Sequence, residues 1–201
     1  MTNSLIIDAA MPTFDVDIAE HLIVRADPAT TFQHARGLDF LTVHTPLLDA
    51  AMWARGVPSR LTRRPAPPIP RLVLGEGDPL PGWLILGETP ERELAFGAVG
   101  KFWKPDIEWL DVEPDGFASY AEPGWGKIAA SFVVTPYGAH GSLLTYECRT
   151  VATDDDARTR LHRYWTIVRP FVGHIFRATV RTIRDDAERD DRNGMGREVK
   201  Q

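Results

Sequence analysis

Three side chains have types and positions that could support acid–base chemistry: Tyr146, Arg169 and His174. A tyrosine can donate a proton, a histidine titrates near neutral pH, and an arginine can hold a carboxylate or hydroxyl group. Arg169 follows Trp165 by four residues, which places both side chains near one stripe of a predicted helix. The alternative role for Arg169 is an ion pair with a strand carboxylate such as Glu147, since buried charges are usually paired.

The same region holds two candidate hydroxyl donors, Tyr146 and Tyr164, which could equally be packed with the oxygen reaching solvent. His174 follows Pro170 by one turn, where a bent helix can leave a carbonyl oxygen unpaired. Its alternative role is that of an ordinary surface or core histidine. These residues form no complete catalytic set, so no residue is assigned as catalytic.

Metal and nucleophile motifs are absent from the sequence. No H-E-x-x-H and no G-x-S-x-G occurs, and no two of the six histidines lie four residues apart. The single cysteine, Cys148, excludes an internal disulfide and a cysteine-based zinc site. It lies in an alternating strand pattern, which favours a small core residue over a nucleophile. The sequence therefore predicts neither a metal nor a cofactor.

The stretch GAVGKFWKPDIEW, residues 97–109, has the glycines and lysine of a phosphate loop but not their spacing. Ala95 stands where the first glycine of that motif belongs, and Phe102 follows Lys101 in place of a serine or threonine. The stretch begins inside a strand pattern and leads to no helix. We therefore interpret Gly97 and Gly100 as positions where the strand bends or where backbone or ligand approaches closely.

Length and composition are typical of one soluble globular domain. The chain has 201 residues, 43% of them hydrophobic, and a net charge of −5, which argues against a nucleic-acid binder that relies on phosphate neutralisation. There is no apolar run long enough to cross a bilayer and no secretory signal at the N-terminus. With one cysteine, these features favour a cytoplasmic location.

The first part of the chain predicts a strand and two short helices. Residues 22–26 alternate as in a strand, and Asp27 followed by Pro28 marks a helix start that closes near Gly37. A second helix is predicted over residues 46–55. The proline-rich connection at residues 57–71 is interpreted as a stiff link into the sheet, with a docking site for a partner protein as the alternative.

Residues 72–151 predict only strands and turns, and short connections imply antiparallel neighbours. Apolar residues alternate with polar ones such as Glu93, Lys127 and Ser131, which predicts one apolar face and one solvated face. The predicted strands are residues 71–75, 83–88, 93–103, 117–122, 127–135 and 142–152.

The C-terminal part predicts a long amphipathic helix. Asp154 to Asp156 supply a cap, and apolar residues then recur every three or four positions from Leu161 to Ile183. Such a helix is long enough to cover the apolar face of the sheet, and Pro170 should bend it.

This order of elements resembles the helix-grip fold of the START-related lipid-binding superfamily (SRPBCC), which includes polyketide cyclase/dehydrase-like proteins. The matching segments are IVRADPATTF, residues 23–32, and RLHRYWTIVRPFVGHIFRATVRTI, residues 160–183. The resemblance implies an apolar cavity between a curved sheet and the terminal helix. Family members typically bind lipids, sterols, polyketides or hormones, and a minority catalyse cyclisation or dehydration.

We therefore expect an α+β helix-grip domain over residues 19–188, with six or seven antiparallel strands, an irregular leader over 1–18 and a disordered tail over 189–201. The expected function is binding of a small hydrophobic or amphipathic molecule, with a polyketide cyclase or dehydratase as the alternative. No nucleic acid and no membrane insertion are expected, and the protein would be a monomer or a homodimer. The predicted ligand-binding residues are Trp53, Phe96, Phe102, Phe132, Tyr146, Trp165 and Arg169.

Overall fold

The structure is a computed structural model that describes residues 4–39, 82–104 and 107–198, with side chains to residue 193. Four sequence predictions lie outside these ranges: the helix at 46–55, the connection at 57–71, the strand at 71–75 and the ligand-binding role of Trp53.

Within the described ranges, six antiparallel strands form one sheet in the order β1-β6-β5-β3-β2, with β4 paired to β3. A long terminal helix packs on one face, here called the inner face, which confirms the predicted α+β helix-grip arrangement. The elements are α1 (Ile6–Ala10), β1 (Val16–Val24), α2 (Pro28–Arg36), β2 (Trp83–Thr89), β3 (Glu93–Lys101), β4 (Glu108–Leu110), α3 (Pro114–Phe117), β5 (Gly126–Tyr137), β6 (Gly141–Ala152) and α4 (Asp155–Glu198).

The helix starts agree with the predicted caps. The Asp27 carboxylate accepts from the Thr30 amide at 2.9 Å, and Pro28 occupies the first helical position of α2. The Asp154 carboxylate accepts from the Ala157 amide at 2.8 Å at the start of α4. Because each cap is a local interaction, it could be identified from the sequence.

The N-terminal segment is more regular than predicted. Residues 6–10 form α1, and β1 begins at Val16 instead of near residue 22. The buried Glu93 carboxylate accepts from the backbone amides of Ile6 and Ile7 at 2.8 and 3.1 Å. A five-residue helix is too short to show periodicity, so only this distant carboxylate makes it recognisable.

The segment between β3 and β5 also differs from the prediction. Residues 117–122 do not form a strand; Phe117 ends the short helix α3, and a turn follows. The strand β4, which the sequence did not predict, pairs with the end of β3. Phe117 is fully buried against the outer face of the sheet, so its apolar character reflects packing and not strand alternation.

The prediction that the outer face of the sheet is solvated is wrong for the central strands. All eight residues from Glu93 to Gly100 in β3 are buried, because α1 and the segment around Phe117 cover the outer face with a second core. Two polar residues that suggested a solvated face, Lys127 and Ser131, are buried there as well. The Lys127 ammonium donates to the carbonyl oxygens of Phe117 and Ala118, and burial lowers its pKa.

The terminal helix α4 is longer than predicted, since it continues to Glu198 and not only to about residue 188. The C-terminal half of α4 contacts β1 and the residue that follows it. Arg177 pairs with Glu20 at 3.0 Å, and the Arg25 amide donates to Glu188 at 3.0 Å. The helix therefore runs alongside β1 in the same direction as that strand.

Candidate functional site

The inner face of the sheet has two parts with different packing. At the packed end, side chains from the sheet and from α4 are buried together beneath α2 and the second half of α4. These residues are Phe132, Leu144, Tyr146, Phe176, Val180 and Ile183. At the open end, near the first half of α4, the apolar side chains keep part of their surface accessible. These residues are Ile18, Ile128, Cys148, Trp165, Val168 and Val172.

Stacked aromatic rings fill the packed end. The Tyr146 ring lies between Phe176, at a centroid distance of 3.9 Å, and Phe132, at 4.4 Å. Phe132 also contacts Phe96 at 5.9 Å. Phe132 has no accessible surface, and a side chain that lined a ligand-sized void would keep some. This part of the inner face is therefore a solid core.

At the open end, side chains remain partly exposed even on strands in the middle of the sheet. Ile128 lies in β5, between β3 and β6, and points to the inner face like Ala130 and Phe132. It nevertheless remains partly exposed. A central-strand side chain keeps accessible surface only where the layer above it is incomplete.

Cys148, which neighbours Ala130 across the strands, lies on the inner face at the open end. Burial raises the pKa of the Cys148 thiol to about 12, because the surrounding protein disfavours the thiolate. The side chain still keeps accessible surface. Cys148 is therefore surrounded largely by protein, and the layer that covers it is incomplete.

The course of α4 accounts for the partial exposure at the open end. Leu161 packs in a cluster with Val16 and Ala152, whereas Gly173 lies beside Ile18. Twelve helical residues span about 18 Å, but the two strand residues from Val16 to Ile18 span only about 7 Å. The helix therefore does not follow β1 over residues 162–172, none of which is buried.

Tyr146 lies at the border between the two ends, two residues before Cys148 on the same face of β6. Burial raises the pKa of Tyr146 far above its usual value, with a smaller contribution from the Cys148 thiol. The hydroxyl therefore stays protonated at every physiological pH. It can donate a hydrogen bond but is poorly suited to act as a general base.

The predicted ligand-binding residues are distributed over several environments. Phe96, Phe132 and Tyr146 lie in the packed core, whereas Trp165 lies at the open end. Phe102 is buried, with 4% of its surface exposed. Its ring packs so closely on Gly100 and Gly126 that a Cβ atom at either position would contact it too closely. This close approach explains both glycines. A ligand-binding role for these residues stays a prediction.

Arg169 is exposed on α4 and does not pair with Glu147 as the alternative role required. Glu147 pairs with Arg149 at 2.6 Å on the outer face. His174 is partly exposed, and its Nε2 atom is buried without a hydrogen-bond partner among the described residues.

The sequence analysis missed Ile18, Ile128 and Cys148 as candidate contacts. Ile128 and Cys148 belong to the same alternating stripes as Phe132 and Tyr146, so periodicity places all four on one face. Periodicity does not show which part of this face is covered by other elements. The sequence prediction favoured large aromatic residues as ligand contacts, and these residues lie at the packed end.

A second concavity lies outside the fold, between the end of β1 and the β5–β6 turn. This groove has a volume of about 710 Å³ and is bordered by Ile23, Arg25, Tyr137 and His140. It is open to solvent and formed largely by turn residues. We regard the open end as the better candidate site, because an apolar ligand needs an enclosed apolar surface.

Among residues 4–39, 82–104 and 107–193, no three histidine, cysteine, aspartate or glutamate side chains come together in a way that suits a metal ion. None of the described helices has the length and apolarity needed to cross a bilayer.

No protein-family model matches the chain, and no curated protein sequence matches it either. The fold is similar to the crystal structure of CalU16 from Micromonospora echinospora, with 14% identity, 88% of this chain and 86% of that chain covered, and a TM-score of 0.28. It is also similar to TTHA0849 from Thermus thermophilus, with 8% identity, 87% and 95% covered, and a TM-score of 0.27. A third similar structure is the Zhui aromatase/cyclase from Streptomyces sp. R1128, with 13% identity, 84% and 93% covered, and a TM-score of 0.29. Matches with these TM-scores carry no argument about function, so the candidate site rests on its own geometry.

Proposed function

We propose that this protein binds a small apolar or amphipathic molecule at the open end, between the inner face of the sheet and residues 162–172 of α4. The observation that carries this proposal is the partial exposure of Cys148 on the inner face, directly beside Ala130, which is buried. Ile18 and Ile128 flank the same space and are partly exposed as well.

The chemistry of the surrounding side chains selects the ligand class. Isoleucine, valine and tryptophan side chains border the open end, and contact with such surfaces favours apolar groups by about 25 cal/mol for each Å² removed from water. Tyr146, at the inner border, keeps its hydroxyl proton and is suited to donate to one ligand oxygen. Binding needs nothing more than these groups.

The cyclase or dehydratase alternative needs a general base in the same space. Tyr146 is disfavoured in that role by its raised pKa, and Arg169 is exposed on the helix. The third candidate, His174, is partly exposed on α4, and its buried Nε2 atom has no hydrogen-bond partner among the described residues, so it is the residue to test for catalysis. Ligand binding requires no such group and is the function that we propose.

The test uses the apolar fluorophore N-phenyl-1-naphthylamine as probe and a substitution that fills the space. Cys148→Phe places a ring at the open end, and we expect the dissociation constant for the probe to rise at least about tenfold, a loss of about 1.4 kcal/mol. Thr145→Phe is the matched control, since residue 145 lies on the same strand but on the outer face. It should leave probe binding unchanged.

Two results would count against the proposal. One is equal probe binding by wild type and a correctly folded Cys148→Phe variant. The other is the absence of any probe binding by the wild-type protein, together with the absence of any apolar molecule retained from a cell extract and detected by native mass spectrometry.

A further inference from the structure

The terminal helix has a charge distribution unlike that of the whole chain. The chain carries a net charge of −5, yet residues 157–184 contain no aspartate, glutamate or lysine. The basic residues of this segment are Arg158, Arg160, Arg163, Arg169, Arg177, Arg181 and Arg184, together with His162 and His174. Acidic residues lie on both sides, at 154–156 and from 185 onward. The middle of the helix is therefore a basic surface on an acidic protein.

Three of these arginines are neutralised by ion pairs, namely those of Arg158 with Asp15, Arg177 with Glu20 and Arg184 with Asp185. The other four are exposed and make no close ion pair within the part of the chain that the structure describes; they are Arg160, Arg163, Arg169 and Arg181. Of these, Arg160 lies near Asp154 and helps to lower the pKa of that carboxyl group, whereas the other three have no such neighbour among the described residues. Unpaired guanidinium groups at this density repel one another, so an anionic partner would stabilise them.

Three of the four follow one line on the helix surface. Arg160, Arg163 and Arg181 are separated by three and eighteen residues, and Ile167 lies four residues after Arg163. We call the surface formed by Arg160, Arg163, Ile167 and Arg181 the arginine stripe. It extends for about 32 Å on the side opposite the buried residues Leu161 and Ile183.

Ile167 distinguishes this surface from an ordinary solvated helix face. This residue is 79% exposed, more than any other large hydrophobic residue in the described ranges. Tyr164 and Phe171 lie next to it along the helix and are partly exposed. An apolar side chain among arginines suits a partner that offers both negative charge and an apolar layer.

We propose that the arginine stripe docks this protein on an anionic lipid surface, with the guanidinium groups at the phosphates and Ile167 inserted at the level of the headgroups. Arginine matches phosphate oxygens with two hydrogen bonds, and an interfacial helix buries its apolar residues just below the headgroups. A nucleic acid offers the charge but no apolar layer for Ile167. Arg163 and Ile167 lie within residues 162–172, none of which is buried.

The experiment is co-sedimentation of the full chain with vesicles of phosphatidylcholine alone and of phosphatidylcholine containing phosphatidylglycerol. We expect sedimentation with the anionic vesicles only, weakened by added salt. Arg163→Gln should lower the partition coefficient about fivefold, the factor expected for one basic residue near such a surface. Ile167→Gln changes no charge and should lower it by a similar factor of about five.

Arg25→Gln is the control for charge, because Arg25 is exposed just after β1 and does not lie on α4. It removes the same charge as Arg163→Gln and should leave sedimentation unchanged. Each variant should show the thermal unfolding midpoint of the wild type, since the substituted positions are exposed.

Equal sedimentation with neutral and anionic vesicles, or none with either, would overturn the proposal. So would a loss with Arg25→Gln equal to that with Arg163→Gln, which would show that total charge matters and position does not. If Ile167→Gln binds anionic vesicles like wild type, and single-stranded RNA or polyglutamate competes fully with them, the stripe is a general polyanion surface and the lipid assignment is wrong. None of these measurements depends on whether a ligand occupies the open end.

Discussion

The packed end and the open end lie on the same face of the same strands, yet only one of them is a core. At the packed end, Phe176 of α4 stacks on Tyr146 at 3.9 Å, and no space remains. At the open end, Cys148 comes two residues later on the same strand and keeps accessible surface. The difference lies in the covering layer and not in the strand, so alternation of apolar residues is necessary for a binding site but does not locate it.

The strongest way to break this comparison is to remove one ring from each end. Phe132→Ala should lower the free energy of unfolding by about 3–5 kcal/mol, because it leaves a cavity in a filled core. Trp165→Ala should cost less than about 2 kcal/mol, since its side chain is already partly exposed. Urea denaturation measures both. Equal losses at the two positions would show that the ends do not differ in packing.

A second comparison adds volume instead of removing it. Ala130 and Cys148 are direct neighbours across β5 and β6 and share the inner face, but Ala130 is only 2% exposed. Ala130→Phe should therefore destabilise the protein by about 1–3 kcal/mol or more through overpacking. Cys148→Phe should change the free energy of unfolding by less than about 1 kcal/mol, because space is available. The thermal unfolding midpoints of the two variants measure this difference, and the reverse order would contradict the assignment of the ends.

The helix α2, which covers the packed end, provides a smaller test. Asp27→Ala should cost about 1 kcal/mol, because the carboxylate caps the first turn through Thr30. The hydrogen bonds from the Thr30 hydroxyl and amide lower the pKa of Asp27 below its usual 3.8. This contribution is therefore complete above about pH 4 and lost as the pH falls through the lower pKa of the folded state.

The measurement for Asp27 is chemical denaturation of wild type and Asp27→Asn from neutral pH into the acid range. Asparagine keeps a capping oxygen but does not titrate, so the two stability curves should converge at low pH. A constant difference at all pH values would show that the ionised carboxylate contributes nothing to the cap.

A further prediction concerns the reactivity of Cys148, the single thiol of the chain. With a pKa of about 12, the thiol should react with iodoacetamide at a rate that rises about tenfold per pH unit beyond pH 9. In urea the rate should level off near pH 9, the ordinary value. The folded state holds this proton while the unfolded state loses it, so stability should fall as the pH rises above 9. A plateau near pH 9 in the folded protein would place the thiol in bulk solvent.

Much of the fold could be predicted from the sequence, because its signals are local. The cap at Asp27, the alternation along β5 and β6, and the apolar stripe of α4 each depend on residues within a few positions of one another. The short helix α1 could not be predicted, because its amides are held by Glu93, which is 87 residues away from Ile6.

The sequence could predict which face of the sheet carries the candidate site, but not where on that face the site lies. The large aromatics Phe132 and Tyr146 were the natural candidates, but each ring finds an aromatic partner from a different element and is buried by it. Small or branched side chains such as Cys148 and Ile128 carry no signal of their own. Their exposure depends on how completely α4 covers the inner face at that end.

By itself, the amino-acid sequence determined the order of the elements, the apolar face of each strand and the amphipathic character of the terminal helix, since periodicity and capping are properties of neighbouring residues. Only the tertiary structure decided that the outer face is also covered, that stacked aromatic rings fill one end of the inner face and that side chains at the other end stay partly exposed. The physical reason is that burial depends on contacts between residues far apart in the chain, and these exist only once the helix has a definite path over the sheet.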